Sequence, residues 1–487
     1  MSFRMLGVSI DGAKYDLSHP IRHDGNFITV MTGKNGSGKS RILEFISRNF
    51  VVNDDFLRYY PERWENDLLS SRNLAGSYDA NAMRYESSGV RVNSEVIHKE
   101  LAMAFDATDF VMDRYDIFPS KLICLSTSPF DRFPSNKRSL KWMISDRDTE
   151  VENSIYTYIG LKNSSSISVK SMITNVIDTI LKSPEKIKNN VGVIRETLSY
   201  LGYGKRIRLT FKSSLARGLL LHEDIDRLML NLSMENYSWS NRQLREISDS
   251  IKLLRHRHTN TKEQFSVSMN LVVDELFNDD YISAVRLLLN SEVIKIHGFK
   301  LSLDRDNRRF ITFSNASSGE QCLALMMLGI ASVIEDNSLI CIDEPEISLH
   351  PEWQEEFIPM IQKSFSAYTG CHFIIATHSP LVVSKLNRKN CIVLDLDKNV
   401  LIDDFNTDEV SSDYQLATLF KSPGFKNEYL IGECLDILNT LSTTAKIDRS
   451  IKNRAGFLNS INEIIEENDP VKHLISTINR VLDEDLS

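Results

Sequence analysis

Three groups of residues have the types and spacing for phosphate chemistry. Gly33-Lys34-Asn35-Gly36-Ser37-Gly38-Lys39-Ser40 matches GxxxxGK[ST] in full. Its glycines permit backbone angles that turn successive N–H groups inward, making an anion nest at a helix N-terminus. Lys39 would reach the β and γ phosphates of a nucleotide, and Ser40 would offer its hydroxyl to Mg2+. The second group, Asp343-Glu344-Pro345-Glu346, follows the apolar run Leu339 to Ile342. A strand ending in carboxylates delivers them to the edge where open α/β sheets bind ligands. Asp343 would hold Mg2+. Glu344 would polarise an attacking water, since in-line phosphoryl transfer needs little beyond placement and charge compensation. The third group is Ser317-Ser318-Gly319-Glu320-Gln321. Alone it reads as a helix N-cap with a first-turn acid.

These residues need elements to hold them. A β-rich run, Phe27 to Met31, ends directly at the glycine loop, and Arg41 to Phe50 carries apolar residues at helical spacing. Lys121 to Leu125 predicts a buried strand. From about Thr149 to Asn290 the pattern is mostly helical, except that Ile207, Leu209 and Phe211 alternate with polar residues over 206–212. Strand character returns at 292–303 and 310–313, followed by a long helix over 319–335 and strands at 339–342, 371–376 and 391–396. Beyond Phe405 the chain is helical, with stops at Pro423 and Asp469-Pro470. Apolar positions there (Leu430, Ile437, Leu441, Phe457, Ile461, Ile464, Leu474, Ile478 and Val481) predict helices near 426–442, 456–466 and 470–483. The fold class predicted is therefore α/β, one domain assembled from residues 1–148 and 291–405. A mainly helical insertion (149–290) separates the halves, and a helical region (406–487) follows them.

Composition narrows the function classes. With 487 residues, 42% apolar and 25% charged, the chain reads as an ordinary globular protein. Its six cysteines lack CxxC or CxH spacing, which argues against a disulfide scaffold or a structural zinc site and fits a reducing cytosol. The N-terminus lacks a basic stretch followed by an apolar run, and the longest apolar stretch, Cys322 to Ile334, is too short to span a bilayer. A cytoplasmic protein without a membrane partner is expected. The net charge of −9 gives no bulk attraction to nucleic acid. Contact with nucleic acid would fall to two local patches: Lys205-Arg206-x-Arg208 with Lys212, and Lys252 to Lys262. Such runs are more often solvated faces.

Taken in order, the phosphate loop, Ser-Ser-Gly-Glu-Gln, the strand with Asp-Glu-Pro-Glu, and Ala376-Thr377-His378-Ser379-Pro380 resemble the ATP-binding-cassette (ABC) ATPases. Within these the chain is similar to the RecF, SMC and OLD-like branch. The resemblance covers roughly residues 1–50, 120–135 and 290–400. It implies ATP and Mg2+ as ligands, with Ser318 and Gly319 contacting the γ-phosphate held by a second subunit. His378 matches the switch histidine, and Ser348-Leu349-His350-Pro351 stands where the family has its D-loop. No glutamine follows the strand at 121–125 where the family carries its Q-loop; Ser126, Ser128 or Asp131 is left for that place.

More loosely, Lys121 to Phe133, Tyr158-Ile159-Gly160 and the hairpin before Ser317 resemble bacterial anti-phage defence ATPases, such as the Septu and retron-associated PtuA-like proteins and the PARIS ATPase subunit. That resemblance implies an ATPase subunit, at least a head-to-tail dimer, whose nucleotide state controls a separately encoded nuclease or toxin. The alternative is a RecF-like repair ATPase that binds DNA directly. An intrinsic nuclease would need Asp395 and Asp397 as a metal pair, yet they lie on a strand that the cassette already uses.

Overall fold

The computed structural model describes residues 2–19, 25–59, 81–88, 90–97, 100–105, 117–128, 130–134, 155–160, 177, 181, 184–214, 226–227, 240–257, 264–271, 280–306, 308–386, 390–402, 412–418, 423–444 and 449–484. Its strands are β1 (Phe3–Ile10), β2 (Ala13–Asp16), β3 (Phe27–Thr32), β4 (Ala82–Ser87), β5 (Val90–Ile97), β6 (Glu100–Phe105), β7 (Leu122–Ser126) and β8 (Tyr156–Gly160). These are followed by β9 (Tyr203–Ser213), β10 (Gln264–Asn270), β11 (Ile294–Leu303), β12 (Phe310–Thr312), β13 (Leu339–Asp343), β14 (His372–Ala376), β15 (Cys391–Asp395) and β16 (Val400–Ile402). The helices of the head and insertion are α1 (Lys39–Tyr59), α2 (Pro184–Tyr200), α3 (Asn241–Arg257), α4 (Asp280–Asn290), α5 (Ser318–Val333), α6 (Pro351–Ser364) and α7 (Pro380–Ser384). The C-terminal region adds α8 (Ser412–Thr418), α9 (Glu428–Thr444), α10 (Arg449–Asn462) and α11 (Pro470–Glu484).

The main sheet has seven strands in the order β16-β15-β3-β14-β13-β7-β8, parallel except for the edge strand β16. Its central strands are apolar runs because both faces are covered: every residue of β7, β13, β14 and β15 is buried. The phosphate-loop strand β3 and the carboxylate strand β13 are both neighbours of β14. Parallel pairing therefore brings the ends of all three to one edge. A five-stranded antiparallel sheet, β2-β1-β4-β5-β6, packs beside it, with Phe3, Phe50 and Tyr85 in mutual ring contact.

The insertion combines helices with strands, β9 among them where Ile207, Leu209 and Phe211 alternate. Among the described residues it carries α2, α3 and α4, but β9 and β10 join β11 and β12 in a four-stranded antiparallel sheet, order β10-β9-β11-β12. Burial along β10 alternates strictly, with Phe265, Val267 and Met269 inward. That period of two was masked in sequence by a short, polar surrounding. The residues of β8 also fall inside 149–290, yet they extend the main sheet beside β7. All six cysteines are buried and free, as expected of small core hydrophobes. The basic run from Lys252 lies on α3 as far as Arg257, where Lys252 pairs with Asp226 at 2.7 Å; residues 258–262 lie outside the described part.

The C-terminal helices build a core of their own. Leu430, Ile437, Leu441, Ile461 and Ile478 are buried together with Cys434, Ile451 and Leu458, while Phe457, Leu474 and Val481 pack at the margin. Ile464 is half exposed and stands apart from this pattern. No described helix is long and apolar enough to cross a membrane.

Candidate nucleotide site

The loop between β3 and α1 bends because three of its residues are glycines with positive φ: Gly33, Gly36 and Gly38, at 149°, 85° and 102°. At Gly33 a Cβ would also meet Ser37 Oγ at 2.8 Å, so space and backbone angle both require glycine. Lys39 is buried at the start of α1, and its ammonium donates to Gly33 O (2.9 Å), Lys34 O (3.3 Å) and the ring of His378. Burial holds its pKa below the usual lysine value, opposed by the charges of Glu344, Glu346, Asp343 and Asp397.

One residue further on, Ser40 Oγ donates to Asp343 Oδ1 at 3.0 Å, joining residues 303 positions apart. A hydroxyl and a carboxylate side by side suit Mg2+, a hard cation held by one or two carboxylates with phosphate and water completing its shell. Among the described residues no group of three or more His, Cys, Asp or Glu could hold a metal ion unaided. Burial raises the Asp343 pKa from 3.8 to about 6, with Ser40 opposing and Asp131 and Glu346 adding to the rise.

His378 leaves β14 between these two strands and therefore falls between Lys39 and Glu344. Its Nδ1 lies 3.0 Å from Lys39 Nζ, and its Nε2 lies 3.0 Å from Glu344 Oε1. An ammonium only donates, so Nδ1 accepts and Nε2–H donates to the carboxylate. The neutral ring this requires agrees with its lowered pKa, caused by burial and by the Lys39 charge. Glu344 has φ at 51°, unusual for a side chain beyond glycine, and its amide bonds Ala376 O at 2.9 Å. Such backbone strain clusters at functional sites. Burial, Glu346 and then Asp343 push its carboxyl up to about 9.

Ser318 is exposed at the start of α5, whose N-cap is Ser317. The Ser317 hydroxyl accepts from Glu320 N, and Glu320 Oε2 accepts from Ser317 N at 2.7 Å, a complete capping box. Gly319 is buried, and a Cβ there would meet Ser348 O at 2.6 Å and the Trp353 ring at 3.0 Å. The turn at Ser348, with φ at 68°, thus supports the Ser318–Gly319 segment.

Two residues gain roles that the sequence motifs did not assign. Glu346 Oε1 accepts from His378 N (2.7 Å) and Ser379 N (3.1 Å), so the third acid of Asp-Glu-Pro-Glu anchors the loop that carries His378. Asp397 accepts from Lys34 N at 3.2 and 3.3 Å and fixes the entry to the phosphate loop. Asp395 binds the Asp397 and Lys398 amides and pairs with Lys398 at 3.3 Å. Both aspartates are thus committed to the turn, not displayed as a metal pair. In the stretch after β7, Asp131 is buried and accepts from Tyr158 OH (2.6 Å) and Phe133 N (3.0 Å). Ser126 accepts from Ser128 N. Of the three, Asp131 is the one whose charge acts on Asp343.

A phosphate loop at β3, carboxylates at β13 and a histidine from the strand between them define the architecture. The fold is an ABC-type ATPase head. A family profile described as "AAA domain, putative AbiEii toxin, Type IV TA system" matches residues 175–384, which span most of the insertion and much of the C-terminal half of the head. The chain is 27% identical over 158 residues to "Retron Ec83 probable ATPase" of Escherichia coli, covering 32% of this chain and 25% of that protein. It is 24% identical over 395 residues to "Retron Vc95 probable ATPase" of Vibrio cholerae serotype O1 biovar El Tor, covering 75% and 68%. The chain thus spans a quarter of one relative's length and about two thirds of the other's. Among solved structures, the SMC head domain from Thermotoga maritima aligns over 80% of this chain and 93% of its own, at 13% identity and a TM-score of 0.32. The ABC-type head resembles the retron-associated ATPases.

Proposed function

We propose that this chain binds Mg2+-ATP and hydrolyses it, as the ATPase subunit of an anti-phage defence complex. The observation that carries the ATPase reading is the contact chain Lys39–His378–Glu344 beside Ser40–Asp343, drawn from three neighbouring strand ends. The glycine loop and Lys39 bind phosphate, and Ser40 with Asp343 positions the metal. Bound Mg2+ neutralises charge on the phosphate oxygens. Glu344 orients the attacking water, and His378 links that carboxylate to the ammonium reaching the γ-phosphate. Ser318 is exposed at a helix N-terminus, which suits presentation to the nucleotide of a second copy in a head-to-tail dimer. The likeness to two retron ATPases supports the defence reading, in which nucleotide state controls a separately encoded nuclease or toxin.

Glu344→Gln should retain ATP binding and slow hydrolysis by about 100-fold or more, the range for losing a positioned acid–base group. Lys39→Ala should weaken binding itself. Wild-type turnover in Glu344→Gln would overturn the assignment. For the shared site, mixing Lys39→Ala with Ser318→Arg chains should restore one intact composite site per mixed dimer. A mixture as inactive as its parents, with subunit exchange verified, would refute it.

A further inference from the structure

The four-stranded sheet β10-β9-β11-β12 has one face in the core and one in solvent. Ile207, Leu209, Phe211, Val267, Phe299 and Leu301 fill the inner face. On the outer face, strand register gathers cations. Arg206, Arg208 and Lys212 alternate along β9; Lys295 sits directly opposite Lys212, and Lys300 directly opposite Arg208. Like charges paired across an antiparallel ladder destabilise it. Among the described residues no carboxylate forms an ion pair with any of the five, in a chain whose net charge is −9. The neighbouring positions are neutral hydrogen-bonding side chains: Ser266 opposite Thr210, Ser268 opposite Arg208 and Asn270 opposite Arg206.

The arginines are also held in place. Arg208 lies 4.0 Å above the centre of the Phe310 ring, and its Nε donates to Ser268 Oγ at 2.9 Å. Arg206 approaches the same ring at 5.7 Å. A guanidinium so anchored keeps its terminal N–H groups for a planar, bidentate acceptor such as phosphate. From Arg206 to Lys212 the strand runs about 20 Å, room for several consecutive phosphates.

We propose that this sheet face binds the sugar-phosphate backbone of nucleic acid, with single strands preferred because the arginine–phenylalanine stack offers flat surfaces to unpaired bases. The proposal is independent of ATP hydrolysis, since none of these residues touches the nucleotide site.

Fluorescence anisotropy of the full chain with labelled single-stranded DNA of about 30 nucleotides, the matching duplex, and RNA of the same sequence tests it over a range of salt. Wild type should bind the single strand, with log K falling against log salt at a slope of about −3.5, from about 0.7 for each of five cations. The triple variant Lys212→Gln, Lys295→Gln, Lys300→Gln leaves the arginine stack intact. It should lower the slope by about 2 and weaken binding by about 100-fold at about 0.1 M salt. Arg208→Lys keeps the charge and breaks the stack, so it should weaken single-strand binding with little change in slope. ATPase activity of each variant reports that the head is folded. Absence of wild-type binding to every probe, or a triple variant with unchanged affinity and slope, would overturn the proposal. So would equal displacement of DNA by polyglutamate of the same charge, which would make the face a dock for acidic protein.

Discussion

Asp343 is 4% exposed and carries no ionised partner within ion-pair reach among the described residues; its strongest stabilising contact is a neutral hydroxyl. Keeping a carboxylate there costs folding energy that only a bound cation would offset. The folded pKa of about 6 stands above the unfolded 3.8, so the favourable contribution belongs to the protonated form. It is fully present below the unfolded value and is lost as pH rises through about 6. The rise corresponds to about 3 kcal/mol, about half of it already lost at about pH 5. Asp343→Asn preserves the shape and can still accept from Ser40 without ever ionising. The variant should therefore melt above wild type by about 2–6 °C near pH 7.5 in the presence of EDTA. That advantage should shrink by about 1.4 kcal/mol near pH 5. Differential scanning calorimetry at both pH values measures it. A variant that melts at or below wild type at the higher pH would refute the claim that this carboxylate is held at the expense of stability.

The same pKa bears on metal binding: because Mg2+ needs the ionised carboxylate, its affinity in the presence of ATP should fall about tenfold per pH unit below about pH 6. Titration calorimetry at several pH values checks this, and a flat profile would contradict it. Gly319→Ala places a methyl 2.6 Å from Ser348 O, so despite alanine's better helix propensity it should destabilise the head by about 1–3 kcal/mol. An unchanged melting temperature would show that the turn yields. Deleting residues after Pro423 removes a core that shares no buried residue with the head, so the truncated chain should stay soluble and hydrolyse ATP. Loss of a co-purified effector from it would locate docking on α9–α11, whereas retention would place docking elsewhere.

The phosphate loop, the carboxylate strand and His378 were legible because each is a local pattern: an apolar strand that ends in the residue types its chemistry needs. Strand β9 was legible for the same reason, through Ile207, Leu209 and Phe211. Partners arising only from strand order were not. Nothing in sequence pairs Glu346 with the His378 amide, or Asp397 with the Lys34 amide, because the first contact needs β13 beside β14 and the second needs β15 beside β3. The fully buried His372 is a similar case. Its Nδ1 accepts from Met5 N at 3.0 Å and its Nε2 meets Thr29 Oγ1 at 2.9 Å, joining the antiparallel sheet to the main one. Burial and the Arg4 charge keep it neutral. The antiparallel sheet of β4 to β6 left no signal in the sequence pattern, and β10 was lost among polar neighbours.

The position of β12 ties the basic sheet face to the nucleotide site. Phe310, the ring beneath Arg208, stands eight residues before Ser318, with only β12, a 3-10 turn at Phe313–Asn315 and the N-cap between. Phe313 is buried and stacks on Phe299 at 5.2 Å, so this connection is clamped to the inner face of the same sheet. From β9, Tyr203 OH reaches Glu320 Oε2 at 3.5 Å, the same oxygen that closes the capping box of α5. The helix end carrying Ser318 is thus held on one side by the sheet and on the other by the Ser348 turn that follows Glu344. A polyanion that shifts Tyr203 or Phe310 would act on that helix end through Glu320 and the short connection clamped by Phe313. Any resulting change in ATP affinity would be matched by an equal change in polyanion affinity when ATP is bound, since coupling between two binding sites is reciprocal.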